Sequence, residues 1–521
     1  MASEDELPND GEQTLFQEIK SSIKGVAMGA AVLVEKAKAD EKRTQEGTKE
    51  PEPVRTQHHF QGDGVQFSYT VTTGMMPLRG EKGEKEADIF FVAYTRDDTE
   101  RAKRPLMFSF NGGPGSASVW LHLGALGPKR VKMLDDGNLP APPYQLVDNP
   151  ESWLEHTDLV FIDPVGTGYS RPAKPELGKK FWGVKGDIES IGEFIRLYLT
   201  RNARWTSPLF LVGESYGTTR AAGLSDHLLN HGIALNGILL VSSILNFQTA
   251  SFVKGNDLPY ILFLPTYTAT AWYHRRLVPE LQKSLTDTLA EAERWAETEY
   301  AAALMRGDAL TPEERAEVVK KLARYTGLEP RYLEDCNLRV EIFRFCKELL
   351  RTQRRTVGRL DSRIKGLDEL ASSETPDFDP SMSAIRPPYT ALFNDYVRTA
   401  LKYETDEEYY ILGGGIKSPW DWNIDRMGFA DTSEALRAAF AKNPYMKVFV
   451  ASGYYDLATP YFATEYTVAH MGLDPSLREN IKTGEYEAGH MMYIHTGSLT
   501  KLKNDISAFL DFALQSEERV V

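Results

Sequence analysis

The sequence predicts an α/β protein: a mostly parallel sheet with helices on both faces, interrupted by a mainly helical insertion. Three observations carry this. Short apolar runs such as "LFLVG" (209–213) and "GILLVS" (237–242) recur without polar alternation, as in strands buried on both faces. Helical stretches at 186–200 and 216–230 lie between such runs, and strands alternating with helices build parallel sheets. Between about 250 and 435 long amphipathic helices take over, and the sheet resumes near 446.

The elements follow in order. Residues 12–36 place Leu15, Phe16, Ile19, Ile23, Val26, Ala30 and Leu33 at helical spacing, which reads as one amphipathic helix docking on the body or a partner. The polar stretch 37–56 reads as a linker. "VQFSYTV" (65–71) and "DIFFVAYT" (88–95) alternate as strands do, while "PLMFSF" (105–110), "DLVFID" (158–163) and "MKVFVAS" (446–452) are buried-strand runs. In the insertion, Thr311-Pro312-Glu313-Glu314 is a helix start. The expected organisation is an N-terminal helix and linker (1–56), a core in two parts (57–250 and 436–521), and a helical insertion (251–435).

The chain has 521 residues, 42% hydrophobic and 26% charged, with a formal net charge of -14. That charge disfavours nonspecific binding to nucleic acid or anionic membranes. No apolar run reaches the roughly 18–20 residues that span a bilayer, so no transmembrane segment is expected. The cysteines, Cys336 and Cys346, fall in one predicted helix and read as plain thiols, not as a disulfide framework or metal site. "MASEDELPND" lacks a basic n-region. The chain as written reads as cytoplasmic, or as periplasmic or secreted if an export signal was trimmed.

Gly213-Glu214-Ser215-Tyr216-Gly217 fits G-x-S-x-G, with an apolar strand before it and a helix after it. That context marks a nucleophile elbow: a sharp turn that exposes the serine hydroxyl at the sheet edge. The bland reading is a strand-to-helix turn with a serine cap. A serine hydroxyl needs a base, and in elbow-bearing folds the acid and then the histidine follow the serine. His490 in "EYEAGHMMYIH" lies on a loop before a final helix at 499–514, with His495 as the alternative base. His470 falls inside a predicted helix. Asp456 in "KVFVASGYYDLATP" leaves a late strand and is placed to orient the imidazole.

Oxyanion stabilisation needs two backbone donors. The Tyr216 amide, directly after the nucleophile, supplies one, and the Gly-rich loop Asn111-Gly112-Gly113-Pro114-Gly115 after an early strand supplies the other. The loop lacks the ending of a P-loop and the spacing of a dinucleotide fingerprint. No cofactor or metal is expected.

Together "NGGPGS", "DPVGTGYS" (163–170), "GESYG", "SGYYDLATP" and "AGHMM" resemble the serine carboxypeptidases, in that family's order, over about 105–245 and 446–495. The resemblance implies an α/β-hydrolase with an inserted cap. It also implies Ser215, Asp456 and His490 as the triad, and Gly113 and Tyr216 as oxyanion donors. Asn111 and Glu214 would bind the substrate's C-terminal carboxylate, aided by the Gly112 amide. Two carboxyls in contact cannot both ionise cheaply, so one is protonated and donates. Substrate binding is then expected to weaken as pH rises and Glu214 ionises.

The chain departs from the family in several places. Many members carry a second Glu where this chain has Ala125, so Glu214 lacks its usual carboxyl partner and a strongly acidic optimum is not implied. Ser109 and Thr218 replace a Trp and a Gly common in the family, and "DPVGTGYS" reads as a structural turn held by Asp163, Gly166 and Gly168. Trp420 and Trp422 read as packing. The expected partners are peptides with a free C-terminus, and a homo-oligomer is compatible with the composition. The alternative activity is an esterase or acyltransferase with the same triad.

Overall fold

The computed structural model describes residues 50–62, 64–423 and 428–515. The helix expected at 12–36 lies outside the described residues. Contacts divide the chain into Met1–Glu52 and Pro53–Val521, and every element named below belongs to the second unit.

The main sheet contains β1 (Val54–Gly62), β2 (Val65–Arg79), β3 (Lys85–Arg96), β4 (Leu106–Phe110), β5 (Asp158–Ile162), β6 (Leu209–Ser215), β7 (Gly237–Ser243), β8 (Lys447–Gly453) and β9 (Ile481–Tyr486). Their order across the sheet is β1-β2-β3-β5-β4-β6-β7-β8-β9. β1, β2 and β3 pair antiparallel, as do β3 and β5; every pairing from β5 to β9 is parallel. Along the parallel strands neighbouring residues enter opposite cores. Phe210, Val212, Leu239 and Val241 pack on one face, and Leu209, Leu211, Ile238 and Leu240 on the other. Strand periodicity requires this of a doubly covered sheet.

Two expectations on the antiparallel side are corrected. β1 begins at Val54, inside the stretch read as linker. Its outer face is open to solvent, so its residues are largely polar and the apolar signal is faint. β2 runs on to Arg79, past Gly74 and Pro77, which look like strand breakers. β1 covers β2 only as far as Thr73, so beyond it β2 is an edge, where a proline costs no ladder hydrogen bond.

Helices α1 (Val184–Arg201) and α2 (Tyr216–Asn230) cover the sheet. The insertion carries α3 (Leu258–Tyr273), α4 (Leu285–Trp295), α5 (Pro312–Thr326), α6 (Ile342–Glu348) and α7 (Pro380–Thr399). α5 opens with the capping box that Thr311 and Glu314 predict. Cys346 lies in α6, but Cys336 caps a separate short helix, Pro330–Asp335, so the two do not share one helix as expected. The insertion has its own core, with Phe263, Tyr267, Trp295 and Phe345. That core also takes in Tyr455 and Leu457 from the loop after β8, and Tyr461 from the helix that follows it. The chain closes with α8 (Ser433–Lys442), α9 (Tyr461–His470) and α10 (Thr496–Leu514). The carboxyl ends of β4, β6 and β8 meet beneath the insertion, where open α/β sheets hold their ligands.

Candidate active site

β6 ends in a tight corner. Ser215 has φ 61° and ψ -132°, and α2 starts at the next residue. A non-glycine residue at positive φ carries strain of order 1–3 kcal/mol and persists only where its surroundings fix it. Here the fixing is steric. A Cβ on Gly213 would lie 2.2 Å from the Gly217 carbonyl oxygen, and one on Gly217 would lie 2.8 Å from the Phe110 oxygen. Ser215 borders a cavity of about 150 Å³, with Asn111, Gly112, Gly113, Glu214 and His490 also in its wall.

The Gly-rich loop after β4 presses on this corner. A Cβ on Gly112 would meet the Tyr216 nitrogen at 2.4 Å, so loop backbone lies directly on the first amide of α2. Gly113 sits at φ +101°, a conformation that glycine adopts readily. Arg220 of α2 holds the loop from behind. Its Nη1 donates to the Asn111 carbonyl at 2.7 Å, and its Nε donates to Asp187 of α1 at 2.8 Å, with all these side chains buried. Asp163 of "DPVGTGYS" accepts from the Ser118 amide at 2.8 Å, and Gly168 fits only because a Cβ there would strike the Asp163 carboxylate. The motif forms a structured turn bonded to the segment that follows the Gly-rich loop.

Asp456 and His490 meet on the other side of the cavity, with Asp456 Oδ2 2.7 Å from His490 Nδ1. The carboxylate is buried and fully engaged. Oδ1 accepts from the Ala458 and Thr459 amides, and Oδ2 from the Thr459 hydroxyl at 2.7 Å. Burial pulls the His490 pKa down, but Asp456 more than offsets this and Glu214 adds to it, so the net direction is upward. Nε2 is left for the cavity. His470 is exposed at the end of α9 and bonds the Tyr466 carbonyl, while His495 bonds Ser498. Neither of these histidines borders the cavity.

The insertion secures this pair, and no sequence motif predicted it. Residues 359–363 return from the insertion across both loops. The His490 amide donates to the Leu360 carbonyl at 2.6 Å, the Leu457 amide to Arg359, and the Ser362 amide to Tyr455. Arg363 pairs with Asp361 at 2.6 Å, both buried, and reaches the Glu487 carbonyl. Gly489 permits the approach, since a Cβ there would lie 2.5 Å from the Leu360 oxygen.

Glu214 is buried beside Ser215. Asn111 Nδ2 donates to its Oε1 at 2.9 Å, and the Tyr493 hydroxyl donates to its Oε2 at 2.6 Å. Tyr493 therefore meets the carboxyl group that Ala125 leaves without an acidic partner. Gly124, next to Ala125, makes room for it: a Cβ there would run into the Tyr493 ring at 2.3 Å. Burial pushes the Glu214 pKa up to about 7, against the lowering pull of His490 and of the hydrogen bonds from Tyr493 and Asn111. Trp420 and Trp422 pack edge-on to the Tyr216 ring, with centroids 5.4 and 6.1 Å away, and neither borders the cavity.

Residues 65–502 match the model of the serine carboxypeptidases. Similar curated proteins include serine carboxypeptidase-like 9 of Arabidopsis thaliana, 26% identical over 40% of this chain and 46% of that protein. The pheromone-processing carboxypeptidase KEX1 of Saccharomyces cerevisiae is 32% identical over 30% of this chain and 22% of its own. The matched stretches thus span less than half the length of these relatives. Among solved structures, a proline iminopeptidase of Mycobacterium smegmatis aligns with 85% of this chain and 99% of its own, at 12% identity and a TM-score of 0.36.

Proposed function

The chain belongs to the serine carboxypeptidase family, and from that premise we propose that it releases C-terminal amino acids from peptides through an acyl-enzyme on Ser215. The observation that carries this reading is the buried Asp456–His490 contact of 2.7 Å, on a cavity whose wall includes Ser215. Ser215 Oγ attacks the last peptide carbonyl, and His490 Nε2 takes its proton. Asp456 holds the Nδ1–H tautomer and stabilises the imidazolium. The Gly113 and Tyr216 amides receive the negative charge that develops on the carbonyl oxygen. The imidazolium then protonates the departing amine. Water, activated by the same imidazole, releases the shortened peptide and restores Ser215.

In this reading Asn111, the Gly112 amide and Glu214 receive the substrate's terminal carboxylate. Glu214 serves as a donor while it is protonated. Its pKa of about 7 sets the sign: below it the carboxyl donates to the substrate, and above it two carboxylates repel. KM should therefore rise with pH through neutrality. His490 acts as base only when neutral, so its raised pKa should cut the rate on the acid side.

Ser215→Ala should lower turnover by several powers of ten without unfolding the chain. Matched peptides that differ only in a free or amidated C-terminus test the carboxylate assignment. The free acid should be cleaved and the amide spared; equal cleavage of both would sink it.

A further inference from the structure

The cavity wall has an apolar side, with Trp120, Met382, Ile385 and Leu412, and a polar side at Asn111, Glu214 and His490. Arg359 also lines this wall, close enough to His490 to act on it electrostatically. It is half-buried, and its guanidinium makes no ion pair or hydrogen bond among the described residues. The nearby Asp379 forms no direct ion pair with it. The Asp379 oxygens already accept from the Arg359, Leu360 and Ser381 amides and the Ser381 hydroxyl. A half-buried guanidinium without a direct ion pair has lost part of its hydration and keeps its N–H donors available to a ligand. A planar carboxylate restores it, with a fork of N–H donors facing two oxygens.

The backbone under Arg359 is fixed. Its N–H goes to Asp379, and its carbonyl receives the Leu457 amide. The side chain also borders a second cavity of about 230 Å³, whose wall includes Phe343, Val357 and Phe378 together with Asp377 and Asp379, neither of which forms an ion pair with it. There is room beside the guanidinium for a short side chain.

We infer that Arg359 makes this site selective for peptides with an acidic side chain next to the scissile bond. The inference rests on the carboxypeptidase reading, which assigns the terminal carboxylate to Asn111 and Glu214 and so leaves the guanidinium for a second anion.

The test compares kcat/KM for blocked tetrapeptide free acids in pairs, Glu against Gln, at the last and at the penultimate position. The full chain is used as wild type, Arg359→Gln and Arg359→Lys. A hydrogen-bonded charge pair at a partly desolvated site predicts a wild-type preference for Glu of about tenfold or more at one of the two positions. Arg359→Gln should bring that ratio close to one, and Arg359→Lys should keep most of it. A wild-type ratio near one at both positions overturns the inference, with no variant needed. So does a ratio that survives Arg359→Gln. A uniform loss for all peptides at constant ratio would mean that Arg359 holds the terminal carboxylate instead. If wild type cleaves none of the peptides, the carboxypeptidase reading itself fails, a result distinct from cleavage without preference.

Discussion

The two sides of the cavity are held by different physics. Around Ser215 the geometry is steric: Gly112, Gly213 and Gly217 sit where any Cβ would strike backbone. Around His490 the geometry is bonded. The loops are tied to each other and to residues 359–363 by amide-to-carbonyl bonds and by the buried Asp361–Arg363 pair. The first side rests mainly on the sheet and its own turns, with backbone bonds from Ala117 to Ile411 and from Gly413 to Gly115 tying the Gly-rich loop to the insertion as well. The second needs the insertion, whose core includes the residues flanking Asp456, Tyr455 and Leu457. The two halves of the proposed machine therefore meet the insertion at different places, the Gly-rich loop at 411–413 and the His490 loop at 359–363.

Substitutions can break this contrast, beginning with the largest effect. Asp456→Asn should reduce kcat by about 10⁴-fold with a near-native melting curve, because an amide favours the wrong imidazole tautomer. Arg363→Met attacks the bonded side away from the chemistry. It leaves Asp361 buried without its cation, and urea titration should register a loss of about 3–5 kcal/mol. Gly112→Ala attacks the steric side. Displacing the loop by about an ångström should cost about 10²-fold in kcat, and stability should suffer less than in Arg363→Met. Equal destabilisation by both variants would erase the distinction between the two sides. Tyr493→Phe sharpens the picture at the smallest scale. The Tyr493 hydrogen bond lowers the Glu214 pKa, so its removal should raise that pKa and move the alkaline rise of KM to higher pH. An unchanged pH profile of KM would detach Tyr493 from substrate binding.

The same contrast explains what was legible in the sequence. Ser215, Asn111, Gly112 and Gly113 could be read because local sterics demand particular residue types at fixed spacing. Asp456 and His490 were legible from the chain order of such sites and the glycines beside them. Tyr493 was not, although it lies three residues beyond His490, because its partner Glu214 is 279 residues away. Gly124 was the available signal: a glycine in a helical turn with no conformational need for it, vacating space for a ring. Residues 359–363 carry no motif because most of their contacts use backbone groups, which every residue type except proline supplies. β1 hid for the opposite reason, since an edge strand washed by solvent has little apolar pattern to show.

The return of residues 359–363 over the loops that carry Asp456 and His490 bears on protein engineering. The insertion looks like a module that could be exchanged between relatives at its two junctions, leaving the sheet intact. It is better compared to a keystone. A chimaera that replaced residues 251–435 wholesale would remove the carbonyls that receive the His490 and Leu457 amides, and a foreign cap would have to rebuild them. A graft that spares Arg359 to Arg363 keeps these ties, but it would still have to rebuild the bonds that Ile411 and Gly413 make to Ala117 and Gly115.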